Sequence, residues 1–115
     1  DSHNIIVVGT SDADMAYAVE RLIEQDGGIV LVRGNSVLES LPMPIAGLMS
    51  DQSGEWVDEK LTCIHRTAVD ALGVRDNLEP VMQLCFMALP VIPELKLTDM
   101  GLFDVAKFDF IPIEA

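Results

Sequence analysis

Two apolar segments broken by prolines, residues 41–50 and 88–105, constrain this chain more than any other feature. Pro42 and Pro44 forbid a helix in the first and hinder a central strand, because proline fixes φ and has no N–H to give to a ladder. Pro90 and Pro93 punctuate the second in the same way. Yet Met43, Ile45, Leu48 and Met49 are apolar, and so are Val91, Ile92, Leu95, Leu97 and Leu102. Such segments are too hydrophobic for free loops. Either they fold over the chain's own sheet, or they pack against another domain or a second subunit.

The rest of the chain reads as alternating elements. Asn4 to Val8 is a short apolar run ending at Gly9, which suggests a buried strand. Ser11 offers a helix N-cap, with Asp14 as its capping-box partner. Met15, Ala18, Val19, Leu22 and Ile23 form one helical stripe, and Gly27-Gly28 ends it. Ile29–Arg33 and Val37–Leu41 read as strands around Gly34-Asn35, a pair that tolerates positive φ and suits a tight hairpin. A second helix is expected over Gly54 to Leu72, from the spacing of Val57, Leu61, Ile64, Ala68 and Ala71, with Gly73 just past its end. Pro80 to Leu89 reads as a buried strand, with a short helix as the close alternative. Phe108, Phe110 and Ile113 suggest a closing strand. The expected fold is α/β: a single-domain sandwich over residues 1–115, with a mixed sheet and at least two helices.

Composition narrows the function. The chain has 115 residues, half of them apolar, so it can bury one core. Its formal net charge of −12 argues against nucleic acid and anionic membranes as partners and favours solubility. No apolar run approaches the roughly 20 residues of a membrane span. A basic n-region is missing, so no signal peptide is expected. The chain starts at Asp1, without Met, and enters an apolar run at Ile5, which suggests a piece of something longer. Cys63 and Cys85 form no Cys-x-x-Cys pair, and two isolated thiols fit a reducing cytoplasm.

Catalytic motifs are sparse. One glycine of a three-glycine dinucleotide fingerprint is present, at Gly9, and Asp12 and Asp14 would repel a phosphate at that helix end. No Walker loop or Gly-x-Ser-x-Gly elbow occurs. The His-x-Glu and Pro-Cys-x-x-Cys halves of a zinc deaminase are both missing. His3 and His65 are the only imidazoles, too few for the ligand set of a barrel hydrolase. His65 reads as a surface histidine and Asp58-Glu59 as a solvated helix face. Trp56 is either a partner contact or a core edge. The quartet Asp1-Ser2-His3-Asn4 is the one polar cluster rich in catalytic residue types, and its plain alternative is a linker with a capping histidine.

Three stretches carry a family resemblance: Asp-Ser-His-Asn-Ile-Ile-Val-Val-Gly-Thr at 1–10, continuing through Met15; Leu-Pro-Met-Pro-Ile-Ala-Gly-Leu-Met-Ser at 41–50; and Ala-Leu-Pro-Val-Ile-Pro-Glu-Leu-Lys-Leu-Thr-Asp-Met-Gly-Leu-Phe-Asp-Val at 88–105. Together they resemble the C-terminal domain of bacterial adenine deaminases, in the amidohydrolase superfamily. Residues 51–79 add little to the likeness. The resemblance implies hydrolysis of adenine to hypoxanthine and ammonia in purine salvage. It also implies manganese or iron, bound by a TIM-barrel domain upstream and by no residue here. The piece alone would then be inactive, and would support or pack on that upstream catalytic domain. Asp1, Ser2, His3 and Asn4 would lie at the junction, with Asp1 or His3 reaching towards the purine pocket. The alternative is a free-standing acidic α/β binding or oligomerisation module. A homo-oligomer fits either reading.

Overall fold

The structure is a computed structural model that describes residues 3–114. The chain divides into two compact units. One combines the N-terminal stretch through Ile6 with the chain from Val81 onward; the other is Val7–Pro80.

The Val7–Pro80 unit begins with helix α1, Asp12–Glu24. Ser11 caps it in an extended conformation, and its Oγ accepts from the Asp14 amide at 3.3 Å. Asp14 does not complete a capping box; its carboxylate turns to the hairpin tip instead. That hairpin joins β1, Gly28–Arg33, to antiparallel β2, Ser36–Pro42. Gly34 and Asn35 both have positive φ, 55° and 57°, as a tight two-residue turn requires. The register shifts between Leu31 and Val32, so Leu31 faces Glu39 while Val32 faces Val37.

Helix α2, Gly54–Leu72, matches its expected span. Ser53 caps it, accepting from the Trp56 amide at 3.3 Å. Gly73 closes it in the left-handed region at φ 72°, and the Val74 N–H returns to the Ala68 carbonyl at 3.1 Å. A two-stranded ribbon is not stable alone. Here α1 packs on β1, and α2 packs on β2 and β1. Leu41 and Ile64 are fully buried in this unit, and Ala18 and Ala68 are buried too. Gln25 ties the end of α1 to the ribbon: its Nε2 lies 3.0 Å from the Gly27 carbonyl and 3.3 Å from that of Ile29.

The other unit contains α3, which starts at the boundary and spans Pro80–Met87. Three antiparallel strands follow, in the order β3 (Leu95–Thr98), β4 (Gly101–Asp104), β5 (Asp109–Ile111). Ala88 and Phe103 are its buried apolar residues.

The α/β class and the helices agree with expectation, and β5 supplies the closing strand at Phe110. Three details differ. The strands form two small antiparallel sheets, where one mixed sheet was expected. Residues 4–8 form no strand, and Ile5, Val7 and Val8 are exposed. An apolar run becomes a strand only with a ladder partner, and this run crosses the boundary between the two units. Pro80–Met87 is a helix and not a strand; proline is at home in a first helical turn, where its missing N–H costs nothing.

Candidate functional site

The N-terminal quartet is the polar cluster richest in catalytic residue types. Asp1 and Ser2 lie outside the described residues. His3 and Asn4 are exposed, and His3 has a positive φ of 54°. A non-glycine residue there is uncommon, although histidine is among those that tolerate it. His65, on α2, sits 3.6 Å through Nδ1 from Glu79 Oε1. Asp58 and Glu59 are exposed on α2, as a solvated face should be. Cys63 and Cys85 are free and exposed.

Among the described residues, no group of three or more His, Cys, Asp or Glu side chains is placed to hold a metal ion. The described donors do not form a set that fits the manganese or iron that the resemblance places in an upstream domain. Among the same residues, no helix is long and apolar enough to cross a membrane.

A shallow groove of ≈ 350 Å³ lies in the Val7–Pro80 unit, lined by Ser40, Pro42, Asp51, Gln52, Trp56 and Lys60. Trp56 is half-buried at its wall, so it serves as a core edge as well as a lining residue. Lys60 Nζ is 3.3 Å from Glu39 Oε2, an ion pair that bridges α2 to β2. Sequence spacing gave no sign of this pair, because its members are brought together only by helix packing. The groove offers mixed charge and one aromatic edge, but no paired acid and base.

The two proline-broken segments hold more of the unusual surface. In the first, Ile45 and Met49 bridge across a tight turn, with the Ile45 N–H donating to Met49 O and the Met49 N–H to Ile45 O, each at 3.2 Å. Ala46 and Gly47 both take positive φ, 58° and 73°. The backbone of Gly47 lies so close to Gly27 that a Cβ on Gly27 would stand 2.5 Å from Gly47 Cα. The turn is thus pinned at its base, while Ile45, Leu48 and Met49 remain about half exposed. In the second segment Ala88 and Phe103 are buried, but Val91, Leu95, Leu97 and Met100 face solvent. Neither segment is swallowed by the chain's own core. Helix α3 adds exposed Met82, Phe86 and Met87. The hint in the sequence was a run apolar but for Gln83, which as a helix in a small unit cannot be buried completely.

Comparison with known proteins gives this surface a context. Residues 1–109 match the family described as adenine deaminase C-terminal domain. "Adenine deaminase 2" of Desulfotalea psychrophila is 73% identical over 115 residues, which is 100% of this chain and 20% of that protein. "Adenine deaminase" of Bacillus velezensis is 49% identical over 99% of the chain, again 20% of its own length. "Adenine deaminase" of Bacillus subtilis is 46% identical over the same shares. No solved structure matches the chain. The chain thus spans about a fifth of the length of these relatives. With nearly its whole length matched and its three motif stretches inside the match, the chain belongs to the adenine deaminase C-terminal domain family.

Proposed function

We propose that this chain is the non-catalytic C-terminal domain, residues 1–115, of an enzyme that hydrolyses adenine to hypoxanthine and ammonia in cytoplasmic purine salvage. The observation that carries the reading is its end-to-end similarity to relatives named adenine deaminase, of which it spans about 20%. The metal, manganese or iron, is held by an upstream barrel domain that also binds the adenine. This domain supports that barrel by packing on it, and the exposed apolar residues of segments 41–50 and 88–105 are consistent with such a role. A homo-oligomer would use surface of the same kind. The free-standing module reading has less support, because this chain is only about 20% of the length of the similar proteins.

The test is the parent reading frame. The full-length protein with manganese or iron should turn over adenine, and residues 1–115 alone should not. Turnover by the isolated chain would overturn the reading.

The N-terminal quartet is given a narrower role: Asp1 or His3 reaches towards the purine pocket from the junction, with Ser2 and Asn4 beside them. Its polarity and its position at the start of the domain support this. His3→Ala in the full-length enzyme should lower kcat/KM by roughly tenfold or more, the usual scale for a lost positioning contact. An unchanged kcat/KM would remove His3 from the site.

A further inference from the structure

The three-stranded sheet has two unlike faces. Residues paired directly across an antiparallel ladder share a face. On one face Phe103 pairs with Lys96 and Phe110. Phe108 and Phe110 meet its ring edge-on, with centroids 5.4 and 5.3 Å away. That face covers its own centre, and Phe103 is buried. The opposite face carries the row Leu97, Leu102, Ile111 across all three strands, and Leu95, two positions along β3, heads a second row with Asp104 and Asp109 at the rim. Leu97 is 60% exposed and Leu95 49%, and both stand on an edge strand. Leu102 and Ile111 are half-buried.

We propose that the Leu95–Leu97–Leu102–Ile111 face docks on the part of the full-length chain that precedes residue 1. This rests on the reading above, that the chain is the C-terminal part of a longer deaminase. Connectivity selects the occupant. The chain matches 20% of its relative's length, which leaves about 80% outside it. The N-terminal stretch through Ile6 belongs to the same compact unit as this sheet, so the preceding chain enters the molecule at the unit that bears the open face. Patch size agrees. Four aliphatic side chains fall well short of the roughly 1,000 Å² that a free-standing interface needs. A partner joined through the backbone is held at high effective concentration and can use a smaller patch.

The test uses thiol labelling of the full-length protein, read by peptide-resolved mass spectrometry. Leu97→Cys is compared with Glu20→Cys, whose site on α1 is exposed. The thiol introduced by Leu97→Cys, in its docked position, should label at least about 100-fold more slowly, because the reagent must wait for local opening. The protection should not change with protein concentration. Equal rates would overturn the proposal. Protection that fades on dilution would overturn it too, in favour of a second copy on this face. Leu95→Cys, read in the same way, decides the matter if Leu97→Cys does not fold. Adenine turnover by the same preparations keeps the two ideas separate: labelling decides the docking face, and turnover decides the deaminase reading.

Discussion

The backbone N–H of Gly34 donates to Asp14 Oδ2 at 3.2 Å, joining the first turn of α1 to the tip of the β1–β2 hairpin. One residue thereby serves two elements: the Asp14 amide is capped by Ser11, while its carboxylate holds the turn. Asp14→Ala keeps the cap and loses the tie. It should cost about 0.5–1.5 kcal/mol in urea unfolding, the net worth of one hydrogen bond. Ser11→Ala removes the cap and should cost about 1 kcal/mol. A neutral Asp14→Ala would show that the hairpin tip needs no anchor.

Gly28 is the least replaceable glycine of the hairpin. Its φ is 108°, and a Cβ there would lie 2.1 Å from the Leu41 carbonyl oxygen. Backbone cannot yield as a flexible side chain does. Gly28→Ala should destabilise by more than about 3 kcal/mol, through both strain and collision. Gly34→Ala meets open space and only a left-handed φ, so about 1–2 kcal/mol is expected. Equal effects in thermal melts would refute the collision argument.

Leu41 and Leu48 test how the first proline-broken segment divides between core and surface. Leu41 is fully buried, and Leu41→Ala should cost about 2–5 kcal/mol. Leu48 is 49% exposed, and Leu48→Ala should stay within about 1 kcal/mol in the isolated chain. In the full-length protein the Leu48 effect should grow if the segment is covered there. An Ala substitution at Leu41 that unfolding curves cannot distinguish from wild type would contradict the core assignment.

The turn after β4 carries an acid-sensitive lock. Asp104 Oδ1 accepts the Lys107 backbone N–H at 3.0 Å, and Oδ2 lies 3.1 Å from Lys107 Nζ. The backbone bond first, and the side-chain ammonium second, hold the Asp104 carboxyl below its ordinary value of 3.8. A depressed folded value means that the lock contributes fully above the unfolded value. The contribution is lost as pH falls below 3.8 and through the folded value. The Lys107 amide resonance should therefore move as pH falls below 3.8, and Asp104→Asn should abolish that movement. A Lys107 amide that ignores acid would break the argument.

Legibility followed the range of the forces involved. Ser11, the Gly34-Asn35 turn, the Gly54–Leu72 helix and the Gly73 stop were readable because capping, positive φ and helical spacing act over a few residues. The Asn4–Val8 run misled because burial and strand pairing are decided by distant partners. Pro80–Leu89 was ambiguous for a related reason: an almost wholly apolar run, with Gln83 its one polar side chain, shows no period to read. Of the candidate site, Asp1 and Ser2 lie outside the described residues, while His3 and Asn4 are placed on the surface.

By itself the sequence determined the elements whose signals are local, the Ser11 cap, the Gly34-Asn35 turn and the Gly54–Leu72 helix, since these depend on residue type and short-range spacing. It also marked the two proline-broken segments as apolar beyond what loops tolerate. Only the tertiary structure decided which of their side chains are covered. Leu41 went into a core, fully buried as Ile64 is, and Phe103 went under its neighbouring phenylalanines. Leu97 was left facing water on an edge strand. Register and packing between residues far apart in the chain set that division, and hydrophobicity alone carries no record of them.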